Sequence, residues 1–229
     1  TRWLSDWSSD VCSSDLYVEG VKSLLEIASN FEGLEFVDLG GGFGIPYRKQ
    51  EGQERLNLEK LGAALDAVIE EWTGKYGSKV QIKIEPGRYI SAECSILLGT
   101  VHTKKQNYNT AYIGTDLGFN VLTRPVMYDS YHELEVYRNG LPVQDLDKET
   151  VTVVGNICET GDIMAKDRLL PRIEEGDILG VMDAGAYGYA MSSNYNNRLR
   201  PAEVLIKADG SSTLVRRRDT IEDLMRNFV

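Results

Sequence analysis

The sequence predicts a two-part chain, an α/β segment followed by an all-β segment. Three observations carry this. Helical and strand patterns alternate over residues 17–96, β-type runs replace them from about Leu97, and glycine or Pro-Gly motifs directly follow the strands of the first part. Parallel strands joined by helices, with motifs at their C-terminal ends, suit a (β/α) barrel. A full (β/α)8 TIM-type barrel takes about 250 residues, and only about two units are visible here. The expected domains are a C-terminal barrel remnant over 17–96 and a β-barrel or β-sandwich over 97–229.

Val18, Val21, Leu24, Leu25, Ala28 and Phe31 recur at helical spacing, and Leu34 to Leu39 reads as a short strand ending in glycines. Asn57 is placed to cap a second helix with an apolar stripe of Leu58, Leu61, Leu65, Val68, Ile69 and Trp72. Gly77 breaks that pattern before a strand over Val80 to Ile84. The later runs are Leu98 to Lys104, Ala111 to Ile113, Leu134 to Tyr137, Val151 to Val154, Ile178 to Met182, Ala202 to Ile206 and Thr213 to Arg217. Thr220-Ile221-Glu222-Asp223 resembles a capping box opening a last short helix, with Leu224, Met225 and Phe228 on one side.

The first sixteen residues fit neither pattern. Asp6 to Leu16 repeats Ser-Ser-Asp at Ser8 and Ser13, and the codons that encode it match a common sequencing-library adapter. Residues 1–16 are therefore expected to be non-native or disordered, with native sequence missing upstream of Tyr17. A genuine Ser/Asp-rich tail is the alternative, and Cys12 carries no functional weight in either case.

A net charge of -10 and a pI near 4.8 argue against a nucleic acid or an anionic membrane surface as partner, since both repel such a surface. Cys12, Cys94 and Cys158 lack metal-ligand spacing, so neither a disulfide framework nor a metal site is expected. No stretch approaches the ~20 apolar residues of a membrane span. The expected setting is the cytoplasm.

Gly40-Gly41-Gly42-Phe43-Gly44 follows a strand, where missing Cβ atoms let backbone amides approach an anion closely. Ile45 breaks the dinucleotide fingerprint, and on the glycines alone a tight turn serves as well as a phosphate site. Glu85-Pro86-Gly87-Arg88-Tyr89 ends the next strand and presents a carboxylate and a guanidinium to one mouth; a Pro-Gly turn with a surface ion pair is the alternative. Arg124-Pro125-Val126-Met127-Tyr128 supplies a cation and a phenol suited to a carboxylate, or forms a plain surface loop. Cys158-Glu159-Thr160-Gly161-Asp162 sets a thiol beside a carboxylate, although a lone cysteine more often packs in a core. Asp183 to Tyr189 follows an apolar strand and continues into a polar loop.

The ordered combination, from the glycine run through EPGRY, RPVMY and CETGD to GAYGYAMSSNYN, resembles the fold-type-III pyridoxal-phosphate decarboxylases, and within them the diaminopimelate decarboxylases, over Tyr17 to Val229. The resemblance implies a pyridoxal 5'-phosphate cofactor. Gly40, Gly41 and Gly42 would give backbone donors to its phosphate, and Tyr187 would add a hydroxyl there and near the substrate. Glu85, within Glu85-Pro86-Gly87, would face the pyridine nitrogen and keep it protonated. Arg88 would sit at the phosphate and substrate end. Arg124 and Tyr128 would grip the carboxylate of the substrate's non-reacting end. Cys158 would be the catalytic acid that reprotonates Cα, and Glu159 would pair with the distal ammonium of diaminopimelate.

The implied reaction is decarboxylation of meso-2,6-diaminopimelate to L-lysine and CO2. Ornithine-type relatives carry an aspartate after the cysteine, whereas Glu159 suits a far end bearing ammonium and carboxylate. Thr160 stands where the family has serine, and the hydroxyl is kept. The family's Cys-Glu loop reaches into the partner subunit's site, so a homodimer with shared active sites is implied. His102 and His132 are expected to be structural.

The family's Schiff-base lysine lies early in the barrel, and no lysine here matches it, so this chain alone is expected to be inactive. A decarboxylase for carboxynorspermidine, arginine or ornithine, or a non-catalytic binding module, stand as alternatives.

Overall fold

The computed structural model describes residues 14–144 and 147–229. The chain divides into two compact units, 1–95 and 96–229, each taken by itself below.

In the first unit, α1 (Ser14–Ala28) leads to β1 (Phe36–Asp38), α2 (Leu58–Tyr76), β2 (Gln81–Lys83) and the short α3 (Gly87–Ser91). Helix α1 buries Tyr17, Val21, Leu25 and Ala28, a stripe at helical spacing. Phe31, expected on that stripe, follows the helix end and is exposed. Ser14, Asp15 and Leu16, expected to lie outside the fold, form the first turn of α1, where an acidic residue suits the positive end of the helix dipole. Residues 1–13, with Cys12 and most of the Ser-Ser-Asp repeat, lie outside the described residues.

Helix α2 starts and stops where its sequence signals stand. The Asn57 side chain accepts a hydrogen bond from the Lys60 amide, and Gly77 closes the helix in the left-handed region, its N–H donating to the Thr73 carbonyl. Trp72 Nε1 donates to Ser29 Oγ at 2.9 Å, fixing α2 against the end of α1. Strands β1 and β2 pair in parallel, Phe36 with Gln81 through Asp38 with Lys83, as a crossover helix requires. The ladder continues past both strands, from Leu39 N–H to the Lys83 carbonyl and from Glu85 N–H to the Gly40 carbonyl at 2.8 Å.

The second unit is built on β3 (Leu97–Asn107), β4 (Thr110–Thr115), β5 (Leu134–Arg138), β6 (Leu141–Pro142), β7 (Lys148–Val154), β8 (Ile163–Pro171) and β9 (Ile178–Val181). They form one sheet in the order β6-β5-β9-β3-β4-β7-β8, parallel at β4–β7 and antiparallel elsewhere. β5 also lies against β8, so the sheet curls rather than stacking on a second sheet as a sandwich would. Its core packs Val101, Ile113, Leu122, Val136, Val153, Leu179 and neighbours. Helix α4 (Arg124–Tyr128) packs against β8.

A separate antiparallel hairpin, β10 (Glu203–Ile206) with β11 (Ser212–Arg216), precedes α5 (Ile221–Met225). The Thr220/Asp223 capping box is formed, but Met225 and Phe228 of the expected apolar side are exposed. No described helix is long and apolar enough to cross a membrane.

Candidate functional site

The candidate residues fall into two groups, one in each unit. In the first unit, Gly40, Gly41 and Gly42 lie just beyond β1, and Glu85, Pro86, Gly87 and Arg88 just beyond β2, with Pro86 immediately before α3. The Glu85–Gly40 backbone bond joins the two loops directly. Gly42 has a φ of +91°, and a Cβ on Gly41 would come within 2.7 Å of the Glu85 carbonyl oxygen. A side chain at Gly41 would force the two loops apart, and one at Gly42 would be held in a strained backbone conformation.

The Gly40 amide, expected as a phosphate donor, donates here to Asp38 Oδ1 at 2.9 Å, with Gly40 at φ +70°. The amides of Gly41 and Gly42 donate to no described residue. Two adjacent backbone donors in a loop closed to side chains fit a phosphate group.

In the second unit, Arg124 and Tyr128 sit on α4, Cys158 and Glu159 on the turn between β7 and β8, and Tyr187 on the loop after β9. The fold gathers these three elements. A Cβ on Gly161 of the CETGD turn would lie 3.8 Å from Val126 of α4, and the Arg124 guanidinium carbon is 5.9 Å from the centre of the Tyr187 ring. Arg124 is 1% exposed, whereas Tyr128, Cys158 and Tyr187 are exposed.

Arg124 is held from behind. Its Nη1 lies 2.8 Å from His132 Nε2, and His132 Nδ1 lies 2.8 Å from the Met182 carbonyl. A carbonyl can only accept, so Nδ1 carries the hydrogen and Nε2 accepts from the guanidinium. Arg168, from β8, donates to the His132 carbonyl at 2.8 Å and stacks over Tyr131, whose hydroxyl donates to Glu133.

The Cys158 turn is organised by Asp162, which is 3% exposed. Its two carboxylate oxygens accept from the Phe119 amide at 2.7 Å and the Ile157 amide at 2.8 Å. Burial pushes this carboxyl above its ordinary value, opposed by those two amides. Gly155 makes room for it, since a Cβ there would meet Asp162 Oδ2 at 2.2 Å. The Thr160 hydroxyl donates to Glu159 Oε1 at 3.4 Å.

The Tyr187 loop is strained and anchored. Tyr187 has a φ of +60°, costly for a bulky residue, and Gly188 follows where a Cβ would meet the Ala184 carbonyl at 2.4 Å. Ser193 N–H donates to the Asn120 carbonyl at 2.8 Å, and Phe119 packs on Tyr195.

Sequence reading missed His132, Arg168 and Asp162 as the second layer of this arrangement. Asp162 had a signal, being the last residue of CETGD. Arg168 sits in a strand that was not expected.

The His132 imidazole carries a pH prediction. Burial, with the Arg124 and Arg168 cations, pushes it from 6.5 down to about 4, against a raising contribution from the Met182 carbonyl. Its folded value lies below its unfolded value, so stability is full above about pH 6.5 and falls as pH drops towards 4, by about 3 kcal/mol in all. The urea midpoint should fall across that window and fall less in His132→Gln; equal slopes in the two proteins would refute the assignment.

The second unit thus brings a buried arginine, a thiol–carboxylate turn and a strained tyrosine onto a curled sheet. The chain belongs to the pyridoxal-dependent decarboxylase family, matching the "Pyridoxal-dependent decarboxylase, C-terminal sheet domain" over residues 11–185. It is 41% identical to the diaminopimelate decarboxylase of Methanothermobacter thermautotrophicus over 95% of this chain and 51% of that protein. The Escherichia coli K12 diaminopimelate decarboxylase is 35% identical over 90% of this chain and 49% of its own length. The solved Methanocaldococcus jannaschii diaminopimelate decarboxylase in complex with L-lysine superposes with a TM-score of 0.80 at 32% identity, covering 96% of this chain and 50% of that one. The chain thus spans about half the length of the relatives it matches.

Proposed function

We propose that the chain is the C-terminal part of a pyridoxal-phosphate-dependent decarboxylase that converts meso-2,6-diaminopimelate to L-lysine and CO2 in the cytoplasm. The observation that carries this reading is the buried Arg124 guanidinium 5.9 Å from the Tyr187 ring centre, in a chain that also presents an exposed Cys158-Glu159 turn. A guanidinium answers a carboxylate and Glu159 answers an ammonium, the two groups at the far end of diaminopimelate. Relatives 41% and 35% identical to the chain carry this activity in their names.

The first unit reads as the last β/α units of the barrel, with Gly41 and Gly42 as phosphate donors, Glu85 holding a proton at the pyridine nitrogen and Arg88 nearby. The cofactor supplies the electron sink that takes up the pair left by CO2. Cys158 holds the proton delivered to the substrate's Cα, while Arg124, Tyr128 and Tyr187 orient the unreacted end. The assembly proposed is a homodimer in which the Cys158 turn serves the partner's site.

The test is a fusion of residues 17–229 behind the amino-terminal half of the M. thermautotrophicus relative. It should release lysine and CO2 in equal amounts from meso-diaminopimelate, with a kcat/KM at least about tenfold above that for ornithine, arginine or carboxynorspermidine. The 229-residue chain alone should release none. A folded fusion that binds cofactor yet yields no lysine, or prefers another substrate, overturns the reading.

A further inference from the structure

Arg124 and His132 are 1% and 2% exposed, and a buried guanidinium is tolerated only where its charge and donors are answered. His132 answers Arg124 Nη1 through Nε2, and it can do so only because Nδ1–H is committed to the Met182 carbonyl, both at 2.8 Å. The imidazole is itself anchored: Arg168 Nη1 holds the His132 carbonyl at 2.8 Å, and Met182 N–H holds the Glu133 carbonyl at 2.9 Å, extending the β5–β9 ladder. Met182 immediately precedes Asp183, where the loop to Tyr187 begins with φ +57°. One ring therefore ties α4, the end of β9 and the root of the Tyr187 loop.

We propose that His132 is a positioning residue for amino-acid recognition: its Nε2 fixes the Arg124 guanidinium in the orientation that grips the carboxylate at the unreacted end of the substrate. This rests on the decarboxylase reading above and goes beyond it by naming what aims Arg124. Fixing the guanidinium before the ligand arrives lowers the ordering cost of binding.

Two probes isolate the effect in the fusion protein. L-Lysine keeps the carboxylate left intact by decarboxylation at the other end, whereas cadaverine has similar ammonium ends and no carboxylate. His132→Asn retains a donor towards Met182 but loses the acceptor at the reach of Nε2; His132→Gln restores an acceptor there. By calorimetric titration, His132→Asn should weaken L-lysine binding by roughly 10- to 100-fold, as for a lost hydrogen bond to a charged group, with cadaverine binding unchanged. His132→Gln should stay within about threefold of wild type for both.

In the decarboxylation assay the same defect should appear in KM, with kcat little altered. The 15N resonances of the imidazole, identified by their loss in His132→Asn, should show Nδ1 protonated and Nε2 bare. An unchanged ratio of lysine to cadaverine affinity in His132→Asn, equal weakening of both ligands, or a proton on Nε2 overturns the proposal. A wild-type fusion that binds L-lysine without decarboxylating removes the decarboxylase reading and leaves the proposal to be decided by the affinity ratio. A wild-type fusion that does not bind L-lysine removes both.

Discussion

Cys158→Ala in the fusion protein is expected to lower kcat for diaminopimelate by about 10²- to 10⁴-fold, the usual contribution of a positioned proton donor, with KM changed by less than about threefold. The structural ground is the exposure of the thiol on a turn whose flanks are fixed: Ile157 is 7% exposed on one side and Asp162 3% on the other. Such a turn holds one side chain outward while its backbone stays in place. Cys158→Ser keeps a hydroxyl and should retain part of the rate. Steady-state rates with lysine detection decide the matter; a kcat within a factor of about three of wild type in Cys158→Ala would remove the thiol from the chemistry.

Asp162→Ala is expected to destabilise the second unit by about 3 kcal/mol, since it strips the Phe119 and Ile157 amides of their acceptor. At this size of unit that is a fall of about 10 °C in melting temperature. The same change loosens the Cys158 turn, so catalytic loss should accompany the thermal loss. A melting temperature within about 2 °C of wild type would show that the carboxylate is dispensable to the turn. Gly155→Ala, which drives a Cβ onto the Asp162 carboxylate, should reproduce the defect from the other partner.

Local signals in the sequence proved dependable where the competing physics is also local. The Asn57 cap, the Gly77 stop and the Thr220/Asp223 box formed where they were read, because each depends on atoms within a few residues. Most β runs of the second part were legible for the same reason. β8 was not: Ile163–Pro171 carries Lys166, Asp167 and Arg168 in its middle, Asp167 turns into the left-handed region at φ +49°, and the register against β7 shifts twice. Bulges destroy the alternation that marks a strand. Ser14 and Asp15 look like linker as a string, yet they lie in α1, with the acidic Asp15 in its first turn.

The candidate site divides in the same way. Residue types left each motif with a plain structural alternative, and the ordered set of motifs, through its resemblance to a family, proposes Gly40, Gly41, Gly42, Glu85, Arg88, Arg124, Tyr128, Cys158, Glu159 and Tyr187 as the candidates. The sequence by itself also determined the two-part plan, through the change from helical to strand periodicity. Only the tertiary structure decided which donors are open and which groups stand behind them. It turned the Gly40 amide onto Asp38, buried Arg124 against His132, and set Asp162 under the Cys158 turn. The physical reason is range. Asp162 meets Phe119 across 43 residues and His132 meets Met182 across 50. A polar group's partner at such separation is chosen by the sheet that brings the two segments together, and no short window of sequence contains it.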